Sequence, residues 1–145
     1  MGPVYMEQKL WSETVGTRPK SIQNISSVLE KTVAESGIKN GLLSCFVQHT
    51  SASLLIQENA DPNVLRDLEA FFSKLVPESG FYHHSDEGPD DMPAHIRSVL
   101  TQTSVQIPVV AGKLTLGIWQ GVYLWEHRSS PHQRRLQCHM IGTTD

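Results

Sequence analysis

Apolar positions along the chain fall into two periodicities. Between Asn24 and Ser36, Ile25, Val28, Leu29 and Val33 recur at helical spacing, and Gly37 is placed to stop that helix. A stronger stripe follows, in which Val64, Leu65, Leu68, Phe71, Phe72 and Leu75 form one helical face. Asp61 is placed to cap this second helix, Pro62 suits its first turn, where a missing N–H costs nothing, and Pro77 marks its end. The pattern predicts a third, short helix capped by Asp91, with Pro93 in its first turn and Ile96, Val99 and Leu100 facing inward.

The remaining apolar runs read as strands. Val4 to Glu13 is the first, Leu42 to Gln48 a short buried one carrying Phe46 and Val47, and Ser53 to Gln57 the next. Ser104 to Val110 and Leu114 to Glu126 flank an Ala111-Gly112-Lys113 turn and read as a hairpin, and Arg134 to Ile141 closes the series. Glu78 to Asp91 is polar, carries Gly80, Gly88 and Pro89, and reads as a loop. Strands and helices mix without strict alternation, which predicts an α+β fold. No repeat, low-complexity tract or linker divides the chain, so residues 1–145 are expected to form one domain.

Composition narrows the partners. Hydrophobic residues make up 39% and charged residues 19% of the 145, an ordinary globular balance that excludes disorder. A net charge of −3 gives no general pull toward nucleic acid or anionic membrane, and sparse aromatics offer no base-stacking surface. Any anion site must come from a local positive cluster. No stretch approaches the length of a membrane span, and Met1 to Leu10 lacks a signal-peptide layout. Cys45 and Cys138 sit in apolar runs as reduced core residues, so a cytoplasmic protein is expected.

Polar chemistry gathers in three places, each near the end of a regular element. In Gln48-His49-Thr50-Ser51-Ala52-Ser53, an apolar strand delivers a histidine and hydroxyls into a turn, where closing that turn is the simpler role. Residues 83–95 hold three histidines and four acids (His83, His84, Asp86, Glu87, Asp90, Asp91 and His95), a ligand set for zinc or another divalent ion. The spacing is neither H-E-x-x-H nor an EF-hand, and a solvated acidic loop with a helix cap accounts for it equally well. The third group is Trp119-Gln120, Glu126-His127-Arg128 and Arg134-Arg135. Guanidinium forks match phosphate geometry, whereas exposed Glu–Arg pairs at strand ends are the simpler alternative. Trp119 reads as core packing. Arg134 and Arg135 are neighbours on a strand, so only one can face a pocket, and Arg135 is preferred. No Walker loop or G-x-S-x-G elbow occurs. Cys138 and His139 should point to opposite faces of a strand and form no Cys–His pair.

Taken in order, these clusters resemble a known family. Gln48-His49-Thr50-Ser51-Ala52-Ser53-Leu54 with Glu58-Asn59, then Glu87-Gly88-Pro89-Asp90-Asp91-Met92-Pro93-Ala94-His95-Ile96, then Gly117-Ile118-Trp119-Gln120-Gly121 and Glu126-His127-Arg128, are similar to the signature segments of the YjbQ family. Its members are named secondary thiamine-phosphate synthases. The resemblance covers nearly the whole chain and is weakest before residue 40; Ile118 departs from a usual Thr, and His83 matches poorly and reads as ordinary surface. It implies a compact α+β domain with a mixed sheet, assembled as a homotrimer. It also implies one polar site for a divalent metal ion (zinc, magnesium or manganese) and a phosphorylated small molecule.

On that basis His49, His84 and His95 are the expected metal ligands. His49, Asp91, Glu126 and Gln120 form the expected catalytic set, and Arg128, Arg134, Arg135 and Ser51 the phosphate-binding set. The implied reaction joins a hydroxymethylpyrimidine diphosphate to a thiazole phosphate and expels diphosphate, a step needing charge neutralisation and reactant positioning. The family label marks this activity as secondary. A metal-dependent hydrolase of a phosphate ester or lactone, and a non-enzymatic module for an anionic metabolite, are the alternatives.

Overall fold

Alternation along the last strand organises the molecule. The computed structural model describes residues 2–145. In chain order the elements are β1 (Glu7–Gly16), β2 (Ile22–Asn24), α1 (Ser26–Ser36), β3 (Asn40–Val47), β4 (Ala52–Glu58) and α2 (Pro62–Leu75). They continue with α3 (Asp91–Leu100), β5 (Ser104–Val110), β6 (Lys113–Leu114), β7 (Gln120–Glu126) and β8 (Gln133–Thr143). Along β8, Arg134, Leu136, Cys138 and Met140 turn inward while Gln133, Arg135 and Ile141 turn out, as a strand with one buried face must.

Two sheets share the core. One has the order β1-β8-β3-β5-β6, the other β2-β7-β4. Leu43 and Cys45 of β3, Ile107 of β5 and Met140 of β8 meet Leu54 of β4, Leu124 of β7 and Leu29 and Val33 of α1 in one apolar cluster. The α+β class is as expected, but every strand pairing among the described residues is antiparallel, where the family resemblance implied a mixed sheet. The physical reason is that no long crossover returns the chain in the same direction beside an earlier strand. At the β3–β8 pair, Gly41 opposes Gly142, and a Cβ on either would stand 2.2 or 2.1 Å from the facing backbone. Glycine is therefore required there for the strands to approach.

Local signals fare unevenly. Gly37 ends α1 in the left-handed region at φ 77°, and Asp61 caps α2 by accepting from the Asn63 N–H at 2.9 Å. Ala111 and Gly112, with φ of 52° and 77°, make the tight hairpin turn. The first strand lies at Glu7–Gly16, later than the expected Val4 to Glu13, because its register follows β8. The expected Leu114–Glu126 strand is broken: β6 stops at Leu114 and the chain joins the other sheet at Gln120. Asn59 holds the crossing by donating to the carbonyls of Ile118 and Gln120.

Three packing expectations are corrected. Val99 and Leu100 face outward, because Arg97 and Ser98 occupy the inner side of α3. Arg97 pairs there with Glu69 of α2 at 2.9 Å, and the Ser98 hydroxyl donates to the Ala52 carbonyl. Trp119 is 61% exposed in the turn before β7 and packs no core. The apolar stripe of α2 is covered only in part: Phe72 meets Trp125 edge-on at 5.1 Å, while Phe71 remains 60% exposed. Cys45 and Cys138 are buried free thiols in register across β3 and β8, 3.6 Å apart, as expected. Their mutual hydrogen bond, and then burial, push the Cys45 thiol well up and keep it unreactive.

Candidate functional site

The site forms where α3, the preceding loop and the β3–β4 turn converge. Asp91 opens α3 and His95 follows one turn later, so both side chains share a helical face. The loop brings in His84, whose Nε2–H donates to Asp91 Oδ2 at 2.6 Å. His95 Nε2 stands 3.2 Å from the same oxygen. One donor atom from each of His84, Asp91 and His95 lies within 4.8 Å of the others.

The His95 ring is oriented from behind. Its Nδ1–H donates to the Thr50 carbonyl at 2.9 Å, which ties α3 to the β3–β4 turn. A carbonyl only accepts, so in the neutral ring Nε2 carries a lone pair aimed at an anionic oxygen. That contact is repulsive unless a proton or a cation stands at Nε2. A backbone acceptor on one imidazole nitrogen with the other directed at the site is a familiar support for a metal ligand.

Asp91 was expected to cap α3 and does not. Its carboxylate turns to the two histidines and to Arg128, whose Nη1 lies 3.0 Å from Oδ1. Burial works to raise the Asp91 carboxyl, but the His84 hydrogen bond, His95 and Arg128 outweigh it and hold it below the usual range. Asp91 also holds the exposed His84 above its ordinary value. Asp90 occupies the cap position, yet its carboxylate accepts from Arg128 Nε and from the Ser129 N–H, each at 2.8 Å.

The three arginines expected to bind phosphate each have partners within the protein. Arg128 uses Nε on Asp90, Nη1 on Asp91 and Nη2 on the Glu87 carbonyl. Arg134 is buried, and its guanidinium pairs with Glu126 and donates to the Ser51 hydroxyl at 2.9 Å. Arg135, preferred for the pocket, points to the opposite face and reaches Ser12 Oγ at 3.4 Å. Strand alternation decides this, because Arg134 shares its side with Leu136 and Cys138.

Glu126 and Gln120 are placed differently from the cluster. Glu126 is fully buried, and Arg134 and Thr17 hold its carboxyl below the usual range against the opposing effect of burial. Its Oε2 also accepts the Arg128 N–H at 3.1 Å, so it positions Arg128 and has no open face for proton transfer. Gln120 begins β7 and Glu126 ends it, about 20 Å apart at the rise of an extended strand. The Gln120 side chain accepts from the Gly117 N–H at 2.7 Å and steadies that turn.

His49 lies outside the three-residue cluster, because its Nε2 accepts the Arg135 N–H at 2.8 Å. It lines a cavity of about 360 Å³ together with Thr50, His95, Thr101 and Thr103. His127 belongs to the third polar cluster of the sequence but not to the expected site residues. It is buried, bonds Ser53 Oγ at 2.8 Å and leaves Nδ1 without a partner among the described residues. Its sequence signals are its place directly after the apolar run of β7 and within Glu126-His127-Arg128.

The chain's relatives share this architecture. The model of the family described as "UPF0047 protein YjbQ-like" matches residues 11–143. The UPF0047 protein sll1880 of Synechocystis sp. is 60% identical over 129 residues, covering 88% of each chain. The UPF0047 protein YjbQ of Escherichia coli O157:H7 is 50% identical over 102 residues, covering 70% of this chain and 74% of that one. A crystal structure of a yjbq/upf0047 family protein from Clostridium acetobutylicum superposes with a TM-score of 0.80 at 34% identity, over 92% of this chain and 98% of that one. For the fold alone, a YbjQ-like protein from Sulfolobus solfataricus gives a TM-score of 0.87 at 24% identity, over 95% of this chain and 99% of that one. No helix among the described residues is long and apolar enough to cross a membrane. The chain belongs to the YjbQ-like UPF0047 family.

Proposed function

We propose that this protein is a metal-assisted enzyme acting on a phosphorylated small molecule, with His84, Asp91 and His95 holding a divalent cation. The observation that carries this reading is the His95 ring, whose Nδ1–H is fixed on the Thr50 carbonyl while Nε2 faces the Asp91 carboxylate. Two imidazole nitrogens and one carboxylate are a zinc-type set that leaves a position for substrate. A zinc ion about 2.1 Å from each donor sets the donors roughly 3.0–3.4 Å apart; His95 Nε2 lies 3.2 Å from Asp91 Oδ2, and His84 Nε2, hydrogen-bonded at 2.6 Å, would give up its proton and move outward to admit the ion. When bound, the cation supplies a Lewis acid for a phosphoryl or carbonyl oxygen. Arg128 keeps Asp91 ionised, and Glu126 keeps Arg128 in place.

The family's named reaction, joining a pyrimidine diphosphate to a thiazole phosphate with release of diphosphate, fits a site that neutralises a leaving anion. A metal-dependent hydrolase is the second reading. It is favoured by the engagement of Arg128 and Arg134 with carboxylates, which leaves few protein cations for a diphosphate. Assembly as a homotrimer belongs to the same proposal, supported by the exposed Phe71, Leu75, Val99 and Leu100 side chains.

Elemental analysis of the purified protein beside Asp91→Asn and His95→Ala tests the cation. One ion per parent chain, absent from both folded variants, supports it; a parent that stays metal-free after reconstitution with zinc, manganese and magnesium rejects it. Thiamine phosphate formation and hydrolysis of an ester and lactone panel, each with and without metal, then separate the two reactions.

A further inference from the structure

His49 has a chemical state fixed by its backbone partner. The Arg135 amide can only donate, and it donates to His49 Nε2 at 2.8 Å. Nε2 therefore carries a lone pair and the ring proton sits on Nδ1. A proton on Nε2 would set two N–H groups against each other. Burial of the ring, and then the Arg134 charge, act in the same direction by lowering its basicity. Nδ1–H has no hydrogen-bond partner among the described residues.

The cavity that His49 lines reaches the cluster through His95. Among the described residues no lysine or arginine lines it, so an anion inside would meet no protein charge. The hydroxyls of Ser98 and Thr101 are already given to the Ala52 and Arg97 carbonyls. The Thr50 and Thr103 hydroxyls also line the cavity, and the His95 Nδ1–H is given to the Thr50 carbonyl, so His49 supplies the cavity's unengaged imidazole N–H. A neutral histidine in this role polarises a carbonyl oxygen without transferring a full charge.

We propose that this cavity receives an uncharged, carbonyl-bearing part of the substrate, whose oxygen accepts a hydrogen bond from His49 Nδ1–H. The anionic part of the same substrate then lies at the His84–Asp91–His95 cluster, so the inference rests on reading that cluster as a cation site. His49 acts as an electrophilic hydrogen-bond donor and is neither a metal ligand nor a general base.

Nitrogen-15 NMR of the histidine rings in the full chain tests this, with zinc, inorganic phosphate and γ-butyrolactone as probes. His49 should hold its Nδ1–H form at neutral pH and take up a second proton only at a lower pH than an ordinary histidine does. Zinc should shift His84 and His95 and leave the His49 tautomer unchanged. The lactone should shift His49 Nδ1–H, and phosphate should shift the cluster only when zinc is present. His49→Gln should weaken the lactone response at least tenfold and keep zinc binding. Zinc that moves no histidine rejects the cation reading alone. A His49 ring protonated on Nε2, one that titrates at the ordinary value, or one that responds to phosphate and not to the lactone overturns the inference made here.

Discussion

Asp91 Oδ2 and His95 Nε2 face each other across 3.2 Å, one helical turn apart, while the other nitrogen of that ring is held by the Thr50 carbonyl. With a neutral His95 ring a lone pair faces the carboxylate, and with a protonated ring the same contact is an ion pair. His84 joins the pair from the loop, and these three donors are the set proposed to hold a cation.

Loss of a ligand should be felt as lost cation affinity with the fold intact. Asp91→Asn and His95→Ala are expected to weaken zinc binding by at least about 100-fold, since removing even a supporting partner costs about 10–100-fold. Isothermal titration of the metal-free chain measures this. Circular dichroism and urea unfolding of the same samples report whether each variant is folded.

Glu126 and Arg134 should behave as a buried ion pair. Glu126→Leu leaves the Arg134 guanidinium without its carboxylate and should cost about 3–5 kcal/mol. The Glu126→Leu, Arg134→Met double variant should lose clearly less than the sum of the two single changes, because no unpaired charge remains. Urea unfolding of the four proteins closes the cycle. Additive losses would show that the two side chains act independently.

His127 should make the fold acid-sensitive before any carboxylate titrates. Burial, then the Arg97 and Arg134 charges, lower its pKa from 6.5 to about 3. Between those values the unfolded chain binds a proton that the folded chain refuses, so stability falls as the pH falls. The slope is about 1.4 kcal/mol per pH unit, which gives a loss of about 2 kcal/mol at pH 5. His49, shifted in the same direction, adds to this slope, and His84, shifted upward, stabilises the fold most at low pH. The difference between the parent and His127→Gln isolates the single residue. Equal slopes in urea unfolding at pH 7.5 and pH 5 would contradict the assignment.

The outer face of α2 should be a contact surface. Phe71→Glu adds a charge where an apolar ring is exposed, so an isolated chain would tolerate it. In a homotrimer that buries this face, the change should shift light-scattering mass toward the monomer. A parent that is already monomeric at micromolar concentration would remove the trimer from the proposal.

Sequence by itself determined what rests on neighbours along the chain. Asp61 with Pro62 started α2, Gly37 ended α1, Ala111-Gly112 made the hairpin turn, and the alternation of β8 separated Arg134 from Arg135. Each depends on backbone sterics or on a hydrogen bond spanning a few residues. The Asp91–His95 pair was within the same reach, because a helix aligns side chains four residues apart.

Tertiary structure decided the rest, because electrostatic and packing partners are set by distance in space. Only the fold brought His84 from its loop onto Asp91 and set the Arg135 amide against His49 Nε2. Only the fold matched Arg128 with Asp90 and Arg134 with Glu126, giving each guanidinium a carboxylate partner. Val99 and Trp119 carry the same lesson from packing. Hydrophobicity alone would bury them, but Arg97, already paired with Glu69, takes the inner side of α3, and the turn before β7 points Trp119 outward. An amino-acid type states what a group can do, and its charge or solvent environment, assembled from distant segments, states which of those things it does.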